Sequence, residues 1–123
     1  MTIAFPEMRS RLRRAVDTLC DPEVQERLWI AGESIHPFET GFDDTLLFLV
    51  DELEMFEPAE LVGTVLETDA ELTAFNALTD AVRHLIEVIG KLGSFKDAQG
   101  SGVVWTSCVA AARELHVQMG PSQ

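Results

Sequence analysis

The residues of this chain that could do chemistry are three histidines, two cysteines and a dense population of carboxylates. His36 lies among Glu33, Glu39, Asp43 and Asp44, an oxygen-and-nitrogen set of the kind that holds a divalent metal. Its spacing matches neither H-E-x-x-H on a helix nor the twelve-residue calcium loop. His84 has Asp80 four residues before it and Glu87 three after, so on a helix all three project from one side. Arg83 and Lys91 flank that trio, and an ordinary solvated helix face accounts for it. His116 falls near a helix C-terminus, where a protonated imidazole is favoured by the helix dipole. Cys20 and Cys108 are far apart among apolar neighbours, without a C-x-x-C, and read as reduced, packed thiols. No G-x-S-x-G elbow and no nucleotide-binding glycine loop is present, so neither an enzyme nor a cofactor is expected.

The carboxylates are more informative for their distribution than for any pair among them. No lysine or arginine lies between Arg27 and Arg83. Residues 1–30 carry five acids against five bases and residues 73–123 four against four, so the net charge of -12 belongs to residues 31–72. A field concentrated in this way attracts cationic partners and repels polyanions. It speaks against nucleic acid, where each phosphate contact needs a basic donor, and against anionic membrane surfaces. Aromatic residues interleave with the acids, and most are expected in the core. Any left exposed would be apolar anchors inside an acidic rim, the composition of a protein-binding surface. The candidate partner-binding residues are Glu33, Glu39, Phe42, Asp43, Asp44, Asp51, Glu54, Phe56 and Glu57, facing a basic protein.

Helices have to carry these groups. A first helix opens at Pro6, its apolar positions Met8, Leu12, Val16 and Leu19 recurring at three- and four-residue steps. On its other face Glu7 with Arg11 and Arg13 with Asp17 form i,i+4 pairs, which explains the Arg9, Arg11, Arg13, Arg14 cluster as a solvated surface. Asp21-Pro22-Glu23 starts a second helix running to about Ile30, and residues 31–42 read as loop. Thr45 to Phe56 could begin as a buried strand, but Leu46, Leu49, Val50 and Leu53 keep helical spacing and Asp43 or Asp44 can cap the start. Pro58 to Val62 forms a short turn closed by Gly63. Thr68 and Glu71 form a capping box ahead of the strongest helix, striped by Leu72, Phe75, Leu78, Val82, Leu85, Ile86 and Ile89 and ending near Gly90 or Gly93. Ser94 to Gly102 reads as a linker, and Val104 to Leu115 as the last helix, stopped by Gly120 and Pro121.

These elements predict one all-α domain over residues 1–123, a compact bundle of four to five helices, with the long helix packed on the first and last. No run of about 18 apolar residues and no secretion signal is visible, so a cytoplasmic protein is expected.

The stretches Phe5-Pro6-Glu7-Met8-Arg9, Asp21 through Trp29, Val62-Gly63-Thr64-Val65-Leu66 and Trp105 through Ala112 together resemble a widespread actinobacterial family of small acidic uncharacterised proteins. The resemblance implies a compact intracellular domain of the immunity type, encoded beside a secreted toxin. It breaks at Gly41 to Thr45, where an apolar run follows. The leading expectation is a non-enzymatic binding protein that blocks a cationic surface of a toxin. Two other readings stay open: a metal-binding protein or metal-dependent enzyme using His36 and the nearby carboxylates, and a homodimer joined through an apolar face that takes in part of the Leu46 to Val50 run.

Overall fold

The computed structural model of the protein describes residues 3–30, 42–53, 58–90 and 93–120. It is all-α. Among the described residues the helices are α1 (Pro6–Cys20), α2 (Pro22–Gln25), α3 (Phe42–Leu47), α4 (Pro58–Leu61), α5 (Asp69–Ile89), α6 (Phe95–Gly100) and α7 (Val103–Met119). Two of them run on into π-helical turns, α2 through Glu26–Ile30 and α3 through Phe48–Glu52. Most of the expected loop at 31–42 lies outside the described residues.

Local chemistry accounts for the boundaries. Asp21 Oδ1 accepts from the backbone N–H groups of Glu23 (3.0 Å) and Val24 (3.4 Å), with Pro22 at the first helical position of α2. Buried Gln25 donates from Nε2 to the carbonyls of Thr18 and Leu19, 2.9 Å each, satisfying two orphan acceptors at the end of α1. Thr68 Oγ1 accepts from the Glu71 N–H at 3.1 Å, which starts α5 where the capping box predicts. Only that half of the box forms, because the Glu71 carboxylate bonds the N–H of Glu67 instead, at 2.9 Å. α5 ends at Gly90, whose φ of 82° is left-handed backbone that a side chain would strain. Leu46 to Val50 is helical, and Leu46, Leu49 and Val50 are buried with Leu53.

Ser94 to Gly102 is not a linker. Ser94 and Asp97 close a reciprocal capping box, the Ser94 N–H donating to Asp97 Oδ2 (2.9 Å) and the Asp97 N–H to Ser94 Oγ (3.1 Å). The helix they start buries Phe95 and Ala98. Glycine-dotted polarity hid this short element, since α6 needs only two apolar contacts to hold it.

Buried side chains from α1, α3, α4, α5, α6 and α7 form one core cluster. Its centre is α7 and not the long helix. α5 packs extensively on α7, and α7 on α1, whereas α1 and α5 make few close backbone approaches. The expected packing of the long helix on the last is thus extensive, while its described link to the first is the Arg9–Glu71 ion pair at the start of α5. α7 can pack on both α1 and α5 because it is apolar on more than one side, with Cys108, Ala112, Leu115 and Met119 buried and Val104, Trp105 and Ala111 packed against the core.

Candidate functional site

Of the α1 arginines, Arg11 and Arg14 are exposed as a solvated face requires, whereas Arg9 and Arg13 are half-buried. Arg9 donates from Nη1 and Nη2 to the two oxygens of Glu71, at 2.7 and 3.1 Å, and from Nη1 to the Val65 carbonyl at 3.0 Å. Glu71 is 2% exposed and the Arg9 side chain 11%. The hydrogen bond to Glu71 holds the guanidinium above its usual pKa, against an opposing effect of desolvation. Arg9 also approaches Glu67, at 3.7 Å from Nε. Arg13 donates to the carbonyls of Gly120 (2.8 Å) and Met119 (3.2 Å), capping the end of α7 across the fold. Asp17, expected beside Arg13, has its Oδ1 3.0 Å from His116 Nδ1. The Arg11 guanidinium carbon lies 4.4 Å from the centre of the Phe48 ring. For Arg13 and Asp17 the expected intrahelical pairing gives way to contacts that join α1 to the end of α7.

One consequence falls on the acidic segment. Glu71, counted among its uncompensated charges, is a core residue neutralised by Arg9, and Glu67 shares that base. Asp44, Asp51, Glu60, Glu67 and Asp69 are exposed. Phe42 is not a surface anchor: it is 7% exposed, with its ring centre 5.3 Å from Trp29, 5.7 Å from Phe95 and 6.3 Å from Trp105. This aromatic cluster ties α2, α3, α6 and α7 together, and burying Phe42 in it is worth more than leaving the ring in water. Glu33, His36, Glu39, Glu54, Phe56 and Glu57 lie outside the described residues, and for Asp43 only the backbone, in α3, is described. Among the described residues no group of three or more His, Cys, Asp or Glu could hold a metal ion.

α3 and the C-terminal half of α5 enclose a cleft of about 320 Å³. Leu46, Leu47 and Val50 line it from α3 and its π-helical continuation, and Ile86 and Ile89 from α5. Asp51, Arg83 and Glu87 supply its charged groups. Gly90 and Gly93 also line it, and a Cβ at Gly93 would stand 2.6 Å from Ile89 Cγ1. Leu47, 44% exposed, keeps an apolar wall in contact with water. The π-helical turn contributes Val50 and Asp51, and such turns are frequent at functional sites. Arg83 Nη1 is 3.7 Å from Asp80 Oδ1, and His84 Nδ1 is 3.8 Å from Glu87 on the exposed side of α5. The cleft can hold an apolar group and offer carboxylates to a cation beside it. Periodicity located both of its walls; that the two stripes face each other and leave a gap required the fold.

Both cysteines are free. Cys108 is buried, its Sγ 3.3 Å from the Ala81 carbonyl, and burial pushes its thiol up to about 11. Burial, and secondarily the charge of Asp17, raise Cys20 to about 11 as well. Both thiols are therefore poor nucleophiles near neutral pH.

Residues 3–122 match the model of one protein family, described as a domain of unknown function (DUF7945). No curated protein and no solved structure matches the chain.

Proposed function

We propose that this chain, which belongs to the DUF7945 family over nearly its whole length, is a non-enzymatic interaction protein that places its acidic segment on a cationic surface of a protein partner. The observation that carries the reading is the exposure of Asp44, Asp51, Glu60, Glu67 and Asp69 on a helical framework, in a stretch of sequence without a single base. Carboxylates held on helices and their caps lose little freedom on binding, so their attraction is less offset by ordering than that of a disordered acidic run. The low reactivity of both thiols favours a binding role over nucleophilic catalysis. The finer form of the reading is an immunity-type protein whose carboxylates stand in for substrate phosphates in the active site of a toxin that acts on polyanions.

The test uses the partner retained by the full chain at low salt, identified by mass spectrometry and then purified. Association is followed by stopped flow for the wild type and for a variant carrying Asp44→Asn, Asp51→Asn and Glu60→Gln. Loss of three charges is expected to slow association about tenfold at low ionic strength and to flatten its salt dependence. An unchanged rate and slope would sink the proposal.

A further inference from the structure

The cleft between α3 and α5 joins an apolar lining to acidic groups. Its walls are apolar, from Leu46, Leu47 and Val50 on one side and Ile86 and Ile89 on the other. Among the described residues its charged groups are two carboxylates, Asp51 and Glu87, and one guanidinium, Arg83. Arg83 is itself held near Asp80, at 3.7 Å, which further lowers the positive charge it presents. Asp44 stands a helical turn before Leu47 on the exposed face of α3, so the surface stays negative along that edge. Volume argues in the same direction. At about 320 Å³ the cleft is at the small end of ligand pockets, which span about 300–1,000 Å³. A pocket of that size with apolar walls and peripheral charge suits a side chain presented by a larger partner, with its flanking backbone left outside.

We infer that this cleft receives an apolar side chain from a basic peptide segment of the partner, with flanking lysine or arginine residues paired to Asp51 and Glu87. The inference rests on the acidic-surface reading and makes it specific, because attraction to the acidic segment alone needs no apolar anchor. Burial of the anchor against Leu47 and Ile86 supplies residence time, and the carboxylates supply encounter rate and orientation.

Three synthetic peptides test it against the full-length protein at low salt, read by methyl NMR. One places a Leu-Phe pair between two lysine pairs, a second replaces Leu-Phe by Gly-Ser, and a third replaces the lysines by glutamine. The first is expected to shift the methyl signals of Leu47, Val50, Ile86 and Ile89 and to bind at least about tenfold more tightly than the other two. Leu47→Ala, at an exposed position that leaves the core intact, is expected to weaken it about fivefold. Asp51→Asn and Glu87→Gln are each expected to weaken it about threefold, an effect lost near 1 M salt, where the screening length is about 3 Å. Equal binding of both lysine peptides with unmoved cleft methyls would overturn the inference while leaving the acidic-surface reading standing. Equal binding of the glutamine peptide would overturn the role of Asp51 and Glu87. Failure of both lysine peptides to bind would overturn inference and reading together. Cleft shifts that grow with protein concentration alone would identify a second copy of the chain as the occupant and exclude a basic partner.

Discussion

Replacing Arg9 by methionine should be among the most damaging single changes at a charged position of this protein. Arg9→Met keeps most of the side-chain length but removes both bonds to Glu71, at 2.7 and 3.1 Å, and the bond to the Val65 carbonyl at 3.0 Å. Glu71, 2% exposed, is left with the Glu67 N–H at 2.9 Å as its remaining described donor. Breaking a buried ion pair from one side costs about 3–5 kcal/mol, because the surviving charge stays in a poorly solvating site. The Arg9 side chain is 11% exposed, so some water can reach the vacated space, which places the expected loss near the lower end, about 3 kcal/mol. Against a typical total of about 5–15 kcal/mol this leaves a marginal protein, with Tm lowered by about 10–15 °C. Glu71→Gln is milder, about 1–2 kcal/mol, since Arg9 keeps Val65 and Glu67 and its edge can hydrate. The double variant Arg9→Met, Glu71→Met removes both charges, so its cost is expected to fall short of the sum of the two Met single changes by about 2 kcal/mol or more. Urea denaturation at neutral pH, followed by far-UV circular dichroism, measures all of these. A loss below about 1 kcal/mol for Arg9→Met, or simple additivity, would refute the buried-pair reasoning.

Two further outcomes are expected. Arg13→Met should cost about 1–2 kcal/mol by uncapping the carbonyls of Met119 and Gly120, with amide exchange rising first in the last turn of α7. With both thiols raised from 9.0 to about 11, alkylation by iodoacetamide at pH 8 should be slower than at an unperturbed cysteine by up to about a hundredfold. The same shifts fix a pH dependence. The folded thiols hold their protons longer than the unfolded ones, so stability is intact below pH 9 and falls as pH rises from 9 towards 11. Cys108→Ala should remove part of that fall in melts recorded across the alkaline range, and an unaltered profile would contradict the raised thiol.

Much of the helical layout was legible from periodicity and caps. Pro6, Asp21-Pro22 and Thr68 open the helices they were expected to open, and the stripe from Phe75 to Leu85 is buried as its spacing requires. The Leu46 to Val50 run, ambiguous between strand and helix, follows its i,i+3 and i,i+4 spacing. The sequence-based reading missed α6, whose capping box is written in Ser94 and Asp97 but whose apolar signal is only Phe95 and Ala98. Of the candidate binding residues, Asp44 and Asp51 are exposed as a surface role demands, while Phe42 is buried. An aromatic ring flanked by acids reads identically whether it faces solvent or the Trp29, Phe95 and Trp105 rings, so composition could not separate those cases.

By itself the sequence determined an all-α chain, the starts of α1, α2 and α5, and a strong excess of negative charge between Arg27 and Arg83. Those depend on neighbours within one or two turns, the range over which caps, propensities and stripes act. Tertiary structure decided how that charge is compensated. Arg9, 62 residues before Glu71, neutralises it in the core, and Arg13 caps a helix ending 106 residues away. It also decided that α7 packs on both α1 and α5, and that an acid-edged apolar cleft opens between α3 and α5. Coulomb and packing forces act through space while sequence spacing records only the chain path, so charge balance read along a segment gives the total and not the partners.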